Sequence, residues 1–196
     1  MIQAETRLLL VRHPETEANV TGRYVGRGDS AFTERGLAQV ESLTARIEEF
    51  QPAAIYASPL RRALVVAEAA ASSLGVELTT DARLTELDFG VAEGLTYAEL
   101  SAKGIRFDFE SIEAPVAPEG ESRAEIWRRS VAAIDEILAE GGRSAIVTHG
   151  GVFRSALPYL LGLSIDQIWT FHIRNAQVAE VTVMEGTGRL EEFLAL

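Results

Sequence analysis

The chain has 196 residues, 47% of them hydrophobic and 24% charged, an ordinary globular composition with enough length to bury a substantial core. Its formal net charge of −11 argues against nucleic acid or anionic lipid as a partner, so any anion must be held by a local positive cluster. The lack of cysteine excludes disulfides and thiolate metal sites.

No stretch approaches the ~20 apolar residues of a membrane span. The N-terminus, MIQAETRLLLVRH, has neither a basic start nor a long apolar run, so no signal peptide is expected and the default location is cytoplasmic. Seventeen of the 18 basic residues are arginines, Lys103 being the exception. The planar fork of arginine suits phosphate and carboxylate, although most such residues sit on solvated faces.

Residues 7–12 form an apolar run of strand length that ends in Arg12-His13-Pro14. After a glycine-rich loop at 21–30, apolar Leu37, Val40, Leu43 and Ile47 recur at helical spacing, with Thr33 as the expected N-cap. AAIYAS reads as a second buried strand. An alanine-rich helix follows, with Pro59 near its first turn and Gly75 as its stop. Residues 76–120 are less regular, apart from a short helical piece at 97–102. A long helix is expected at 122–140. SAIVTHGG then repeats the opening pattern, a strand ending in histidine, and VFRSALPYLLG supplies the next helix. Two more strand candidates lie at 177–184 and 190–194.

This alternation predicts one α/β domain over 1–196, a three-layer α/β/α arrangement with a mostly parallel central sheet and helices on both faces. In such sheets ligands bind beyond the carboxyl ends of the strands. Three predicted strands end in polar residues: Arg12-His13, Ser58 followed by Arg61-Arg62, and Thr148-His149. If these strands are parallel neighbours, two histidines and two or three arginines meet at one mouth.

Imidazoles and guanidiniums without a run of carboxylates suit phosphoryl transfer. Arginines stabilise the equatorial oxygens, a neutral histidine serves as nucleophile, and the leaving alkoxide needs a carboxylic acid. The segment LTELDFGVAEG offers Glu86, Asp88 and Glu93, and chemistry alone does not choose among them. His172 matches no motif and reads as a surface residue. Asp88 and Glu93 read equally as loop or capping residues, and Arg61, Arg128 and Arg129 as ordinary salt-bridge partners. Neither His-Glu pairs at helical spacing nor aspartate clusters point to a metal, and no cofactor is expected.

VRHPETEAN resembles the Arg-His-Gly-Glu-Thr-x-x-Asn signature of the histidine phosphatase superfamily, the phosphoglycerate mutase-like proteins. The likeness continues through GRYVGRGDSAFTERG, ASPLRRALVVAE, LTELDFGVAEG, PEGES and IVTHGGVFR, in the family's order. The resemblance implies that His13 accepts the phosphoryl group, that Arg12, Asn19, Arg62 and His149 hold its oxygens with the Gly150 N–H as a further donor, and that Glu86 is the proton donor. It places Arg23, Val25 and Gly26 in a substrate loop. Homodimers occur in such families, and the apolar residues near Trp169 and Phe171 would be the place for one.

Pro14 departs from the pattern, where the family has glycine. The carbonyl expected to accept from Nδ1–H of His13 survives that change, since proline loses only its N–H. Three readings are open: a metal-independent phosphomonoesterase working through a phosphohistidine on a small metabolite such as α-ribazole phosphate or a sugar phosphate, a cofactor-dependent phosphoglycerate mutase, and a non-catalytic phosphate-binding relative. The first is preferred. Phe89 and Tyr97 stand where the family's mutases carry tyrosine and lysine, and the middle segment lacks their arginine pair, so a glycerate carboxylate has no evident clamp.

Overall fold

The computed structural model describes residues 5–196. Met1–Ala4, which fall within the expected domain span and the reading of the N-terminus, lie outside the described residues. Six strands form one sheet: β1 (Thr6–Arg12), β2 (Ala54–Ala57), β3 (Glu77–Thr80), β4 (Arg143–Thr148), β5 (Gln177–Met184) and β6 (Thr187–Ala195), in the order β3-β2-β4-β1-β5-β6. The first four in that order are mutually parallel, whereas β5 is antiparallel to β1 and β6 is antiparallel to β5. The expected mostly parallel sheet is borne out, with an antiparallel hairpin added at one edge.

The hairpin arises from local chemistry. Met184 pairs with Thr187, which leaves Glu185-Gly186 as a two-residue loop with φ of 52° and 75°. Positive φ at both central positions matches the twist of the flanking strands. The outer strand β6 alternates between exposed and half-buried residues, as expected of a solvated edge.

Strand β1 is apolar on both sides because it is covered on both sides. Leu8 and Leu10 pack under α5 (Arg123–Glu140) and α6 (Gly150–Leu160), while Leu9 and Val11 pack under α2 (Glu34–Phe50) and α3 (Arg61–Leu74). All four are fully buried, each contributing about 1.5–3 kcal/mol. Thr33 caps α2 by accepting from Gly36 N–H at 2.9 Å, and Ser122 with Glu125 forms a capping box on α5, so these helices start where the sequence indicates. Pro59 lies next to the first turn of α3, just before its N-cap Leu60, and Gly75 ends that helix in the left-handed region at φ 66°. Two short helices, α1 (Glu17–Val20) and α4 (Tyr97–Ala102), complete the helical set among the described residues. Just before Glu86 the chain makes a 3-10 turn, Ala82–Leu84, capped by Asp81. Among the described residues no helix is long and apolar enough to cross a membrane.

Strand register brings three distant segments to one mouth of the sheet. Val11 pairs with Val147, and Val147 with Ala57, so β1, β4 and β2 end side by side. The residues just beyond those ends are therefore neighbours: His13, His149 and Ser58.

Candidate active site

The nucleophile candidate is fixed by its own backbone. His13 N–H donates to Thr148 O at 2.9 Å, continuing the β1–β4 ladder one residue past the strand. Its ring Nδ1 lies 2.7 Å from Pro14 O. A carbonyl can only accept, so Nδ1 carries the proton and Nε2 holds the lone pair. The proline thus supplies the carbonyl expected of that position. Burial, reinforced by Arg12 and Arg62, lowers the pKa of His13 well below the usual imidazole value despite the Pro14 bond, so the ring is neutral at pH 7.

His149 is fully buried beside it, with ring centroids 5.2 Å apart. Its Nε2 lies 2.7 Å from Ser58 Oγ, which also accepts from Leu60 N–H at 3.2 Å, while its Nδ1 is buried without a protein partner. Burial first, then His13, Arg62 and Arg12, also lower the pKa of His149. Helix α6 starts at Gly150, whose N–H has no partner within the helix.

The arginines are held by neutral partners. Arg12 donates to Ile173 O at 2.9 Å and keeps a buried, unpartnered Nε. Burial lowers its pKa to about 10, which leaves it protonated at neutral pH. Arg62, 3% exposed, donates to the carbonyls of Gly28 (2.7 Å), Gly26 (2.8 Å) and Val25 (3.3 Å), so it also pins the 21–30 loop. Arg61 lies elsewhere, at the mouth of a neighbouring surface hollow.

Glu86 is the carboxylate that reaches the site. Its Oε1 accepts from Gly151 N–H at 2.8 Å and from its own neighbour Leu87 N–H at 2.9 Å. A Cβ at position 151 would overlap that oxygen, which is why glycine stands there. The two rival carboxylates are otherwise engaged. Asp88 accepts from Gly90 N–H, and Glu93 accepts from the N–H groups of Gly26, Arg27 and Phe89, as capping residues do.

Arg12, His13, Asn19, Arg62 and Glu86 line one cavity of about 150 Å³, with Tyr24 and Phe89 on its apolar side. Three donors converge on Asn19 Oδ1, from Thr16 N, Thr16 Oγ1 and Asn175 Nδ2, which fixes its amide orientation. Of the substrate-loop residues, Val25 borders the cavity, and so does Arg23, although its guanidinium turns to Glu99 and Gly94 O. Gly26 is buried against Leu87 O and Glu93, with no room for a side chain, and acts there through its backbone. His172 is exposed and apart from the cavity, as its lack of a motif suggests.

Several supporting residues escape sequence reasoning. Arg129 is more than a surface partner: it pairs with Glu121 and donates to the carbonyls of Arg83, Thr85 and Glu86, clamping the turn that carries Glu86. Thr148 Oγ1 donates to Leu84 O at 2.7 Å and ties the same turn to β4. Arg154, one turn into α6, lies 5.2 Å over the Trp169 ring. The bonds of Arg129 and Thr148 to the turn that carries Glu86 span more than 40 residues of sequence, and no local pattern marks them.

Residues 8–195 match the histidine phosphatase superfamily, branch 1. The chain belongs to that superfamily. The protein named "Putative phosphoserine phosphatase 2" of Hydrogenobacter thermophilus is 32% identical over 185 residues, 92% of this chain and 90% of the relative. "Probable phosphoglycerate mutase GpmB" of Yersinia pestis is 32% identical over 184 residues, 91% and 86% of the two chains. Among solved structures, a mycobacterial glucosyl-3-phosphoglycerate phosphatase in complex with VO3 aligns with a TM-score of 0.83 at 27% identity, over 97% of this chain and all of the other. The expected family and fold are borne out, and with them the enzyme class, phosphatase.

Proposed function

We propose that this phosphatase hydrolyses small phosphomonoesters without a metal ion, through a phosphohistidine on Nε2 of His13. The observation that carries the reading is the Nδ1–Pro14 O bond of 2.7 Å, which leaves a neutral Nε2 at a cavity faced by fixed cations. Arg12 and Arg62 hold two phosphoryl oxygens through donors not spent on carbonyls. Asn19 adds Nδ2–H, since its Oδ1 is already occupied. When Ser58 donates to Nε2 of His149, the ring proton sits on Nδ1, and that buried group becomes a further donor. The Gly150 N–H completes the set at the positive end of α6.

In the first step Nε2 bonds to phosphorus, the P–O ester bond breaks, and the alkoxide takes a proton from Glu86. Two N–H donors occupy Oε1, so that proton belongs on Oε2. In the second step Glu86 takes a proton from water as it attacks phosphorus, and the P–N electron pair returns to Nε2, releasing phosphate. The guanidiniums supply the positive charge that phosphoryl transfer otherwise draws from a divalent ion.

Hydrolysis over mutase activity is favoured by the apolar side of the cavity, where Phe89 and Tyr24 offer no cation to a glycerate carboxylate. The test is a panel of phosphomonoesters with chelator present, run beside 3-phosphoglycerate isomerisation. Hydrolysis that survives chelation, with no isomerisation, is expected. An acid-labile phosphoryl adduct should form on His13, and His13→Ala should lower turnover by at least about 10⁴-fold. Loss of activity on chelation, or an adduct on any other residue, would overturn the reading.

A further inference from the structure

The kind of alcohol esterified to the phosphate is written in a row of aromatic rings. This inference rests on the phosphomonoesterase reading above. Phe89 and Tyr24, whose centroids are 5.4 Å apart, both line the catalytic cavity. Tyr24 meets Phe107 edge-on at 4.6 Å, Phe107 meets Phe109 at 5.3 Å, and Phe109 meets Trp169 at 5.8 Å and 87°. Beyond Trp169 the row returns to the centre. Arg154 lies 5.2 Å over the indole, with its Nη1 3.4 Å from Gly150 O; it feels the charge of Glu86, and Arg12 feels its own. Both ends of the row therefore meet the catalytic residues.

The inner rings are packed, but the outer two are not. Phe109 is 44% and Trp169 54% exposed, in a chain whose other large apolar side chains are mostly buried. Contiguous aromatic surface bordering a polar cavity marks a binding wall for a flat apolar group. A hydroxyl-rich alcohol finds little here. Arg23 is committed to Glu99 and Gly94 O, Glu93 to three backbone N–H groups, and Asn19 Oδ1 to its three donors.

We infer that the preferred substrate is a phosphomonoester of an alcohol bearing a planar aromatic group, which lies against Phe109 and Trp169 while the phosphoryl group sits among Arg12, His13 and Arg62. Trp169 and Phe109 are then specificity-determining residues.

The test compares primary-alkyl phosphates of similar leaving-group basicity: 2-phenylethyl phosphate, 2-cyclohexylethyl phosphate, phosphoserine, glycerol 3-phosphate and glucose 6-phosphate. The phenyl ester is expected to exceed the three polar esters by at least about tenfold in kcat/KM, with the cyclohexyl ester between. Trp169→Leu should reduce the phenyl-to-glycerol preference about fivefold to tenfold, mainly through KM. A polar ester that matches or exceeds the phenyl ester overturns the inference and leaves the phosphatase reading standing, as does a Trp169→Leu preference equal to that of the parent enzyme. Failure to hydrolyse any of the five, or 4-nitrophenyl phosphate, overturns both.

Discussion

The two ends of β1 carry buried charge in opposite states. At its start, Arg7 pairs with Glu180, which also binds Arg46 at 2.8 Å, and Arg46 reaches Glu192 at 2.6 Å. Burial opposes charge there, but the bonds win: the pKa of Arg46 is raised and that of Glu180 lowered. At its end, Arg12 and Arg62 bond only carbonyls, and burial lowers both pKa values. Glu86 lies within range of both arginines but accepts its hydrogen bonds from backbone N–H groups. The first cluster pairs its opposite charges internally, although Arg7 Nε finds no partner. The second is complete only with an anion, so folding stability is spent on a preformed charge for the transition state.

Perturbing each end should give different losses. Glu86→Gln is expected to slow alkyl phosphates by about 10²–10⁴-fold and activated aryl phosphates far less, because only the former need a proton on departure. Equal slowing of both in steady-state assays would reassign the acid. Arg62→Ala should cost about 10²–10³-fold in kcat/KM.

The histidines add a pH signature. Both have folded-state pKa values well below 6.5, owing first to burial, so the unfolded chain binds protons that the folded chain refuses. Stability should therefore fall as pH drops from 7 to 5, by up to about 2 kcal/mol per histidine, and denaturant titrations of His149→Asn should show a shallower slope. At the other end, Arg46→Ala should lower stability by about 1–3 kcal/mol while kcat/KM stays within about twofold. A comparable loss of activity from Arg46→Ala would erase the contrast between the two ends.

Much of the centre was legible because each group follows a strand or starts a helix. Arg12-His13 ends an apolar run, Thr148-His149 ends another, and Thr33 and Ser122 announce their helices. Glu86 could be narrowed to three carboxylates by chemistry, and the family likeness chose among them. What stayed hidden depends on distant partners. Ser58 meets His149 from 91 residues away, Arg129 reaches back over 40 residues to Glu86 O, and Trp169 joins Phe109 and Arg154 across separate segments. Gly26 carries the same lesson, since its neighbours Leu87 and Glu93 decide its role.

The amino-acid order by itself determined most of the strands and helices, though not the short edge strand β3 inside the segment read as irregular, and that histidines and arginines stand at strand ends. Those features depend on side-chain periodicity and caps within a few residues of one another. Only the tertiary structure decided that β2, β4 and β1 lie side by side in one register, that the Pro14 carbonyl fixes the His13 proton, and that aromatic rings from four segments meet in one row. Those depend on pairings and packing between residues far apart in the chain, which no local pattern encodes.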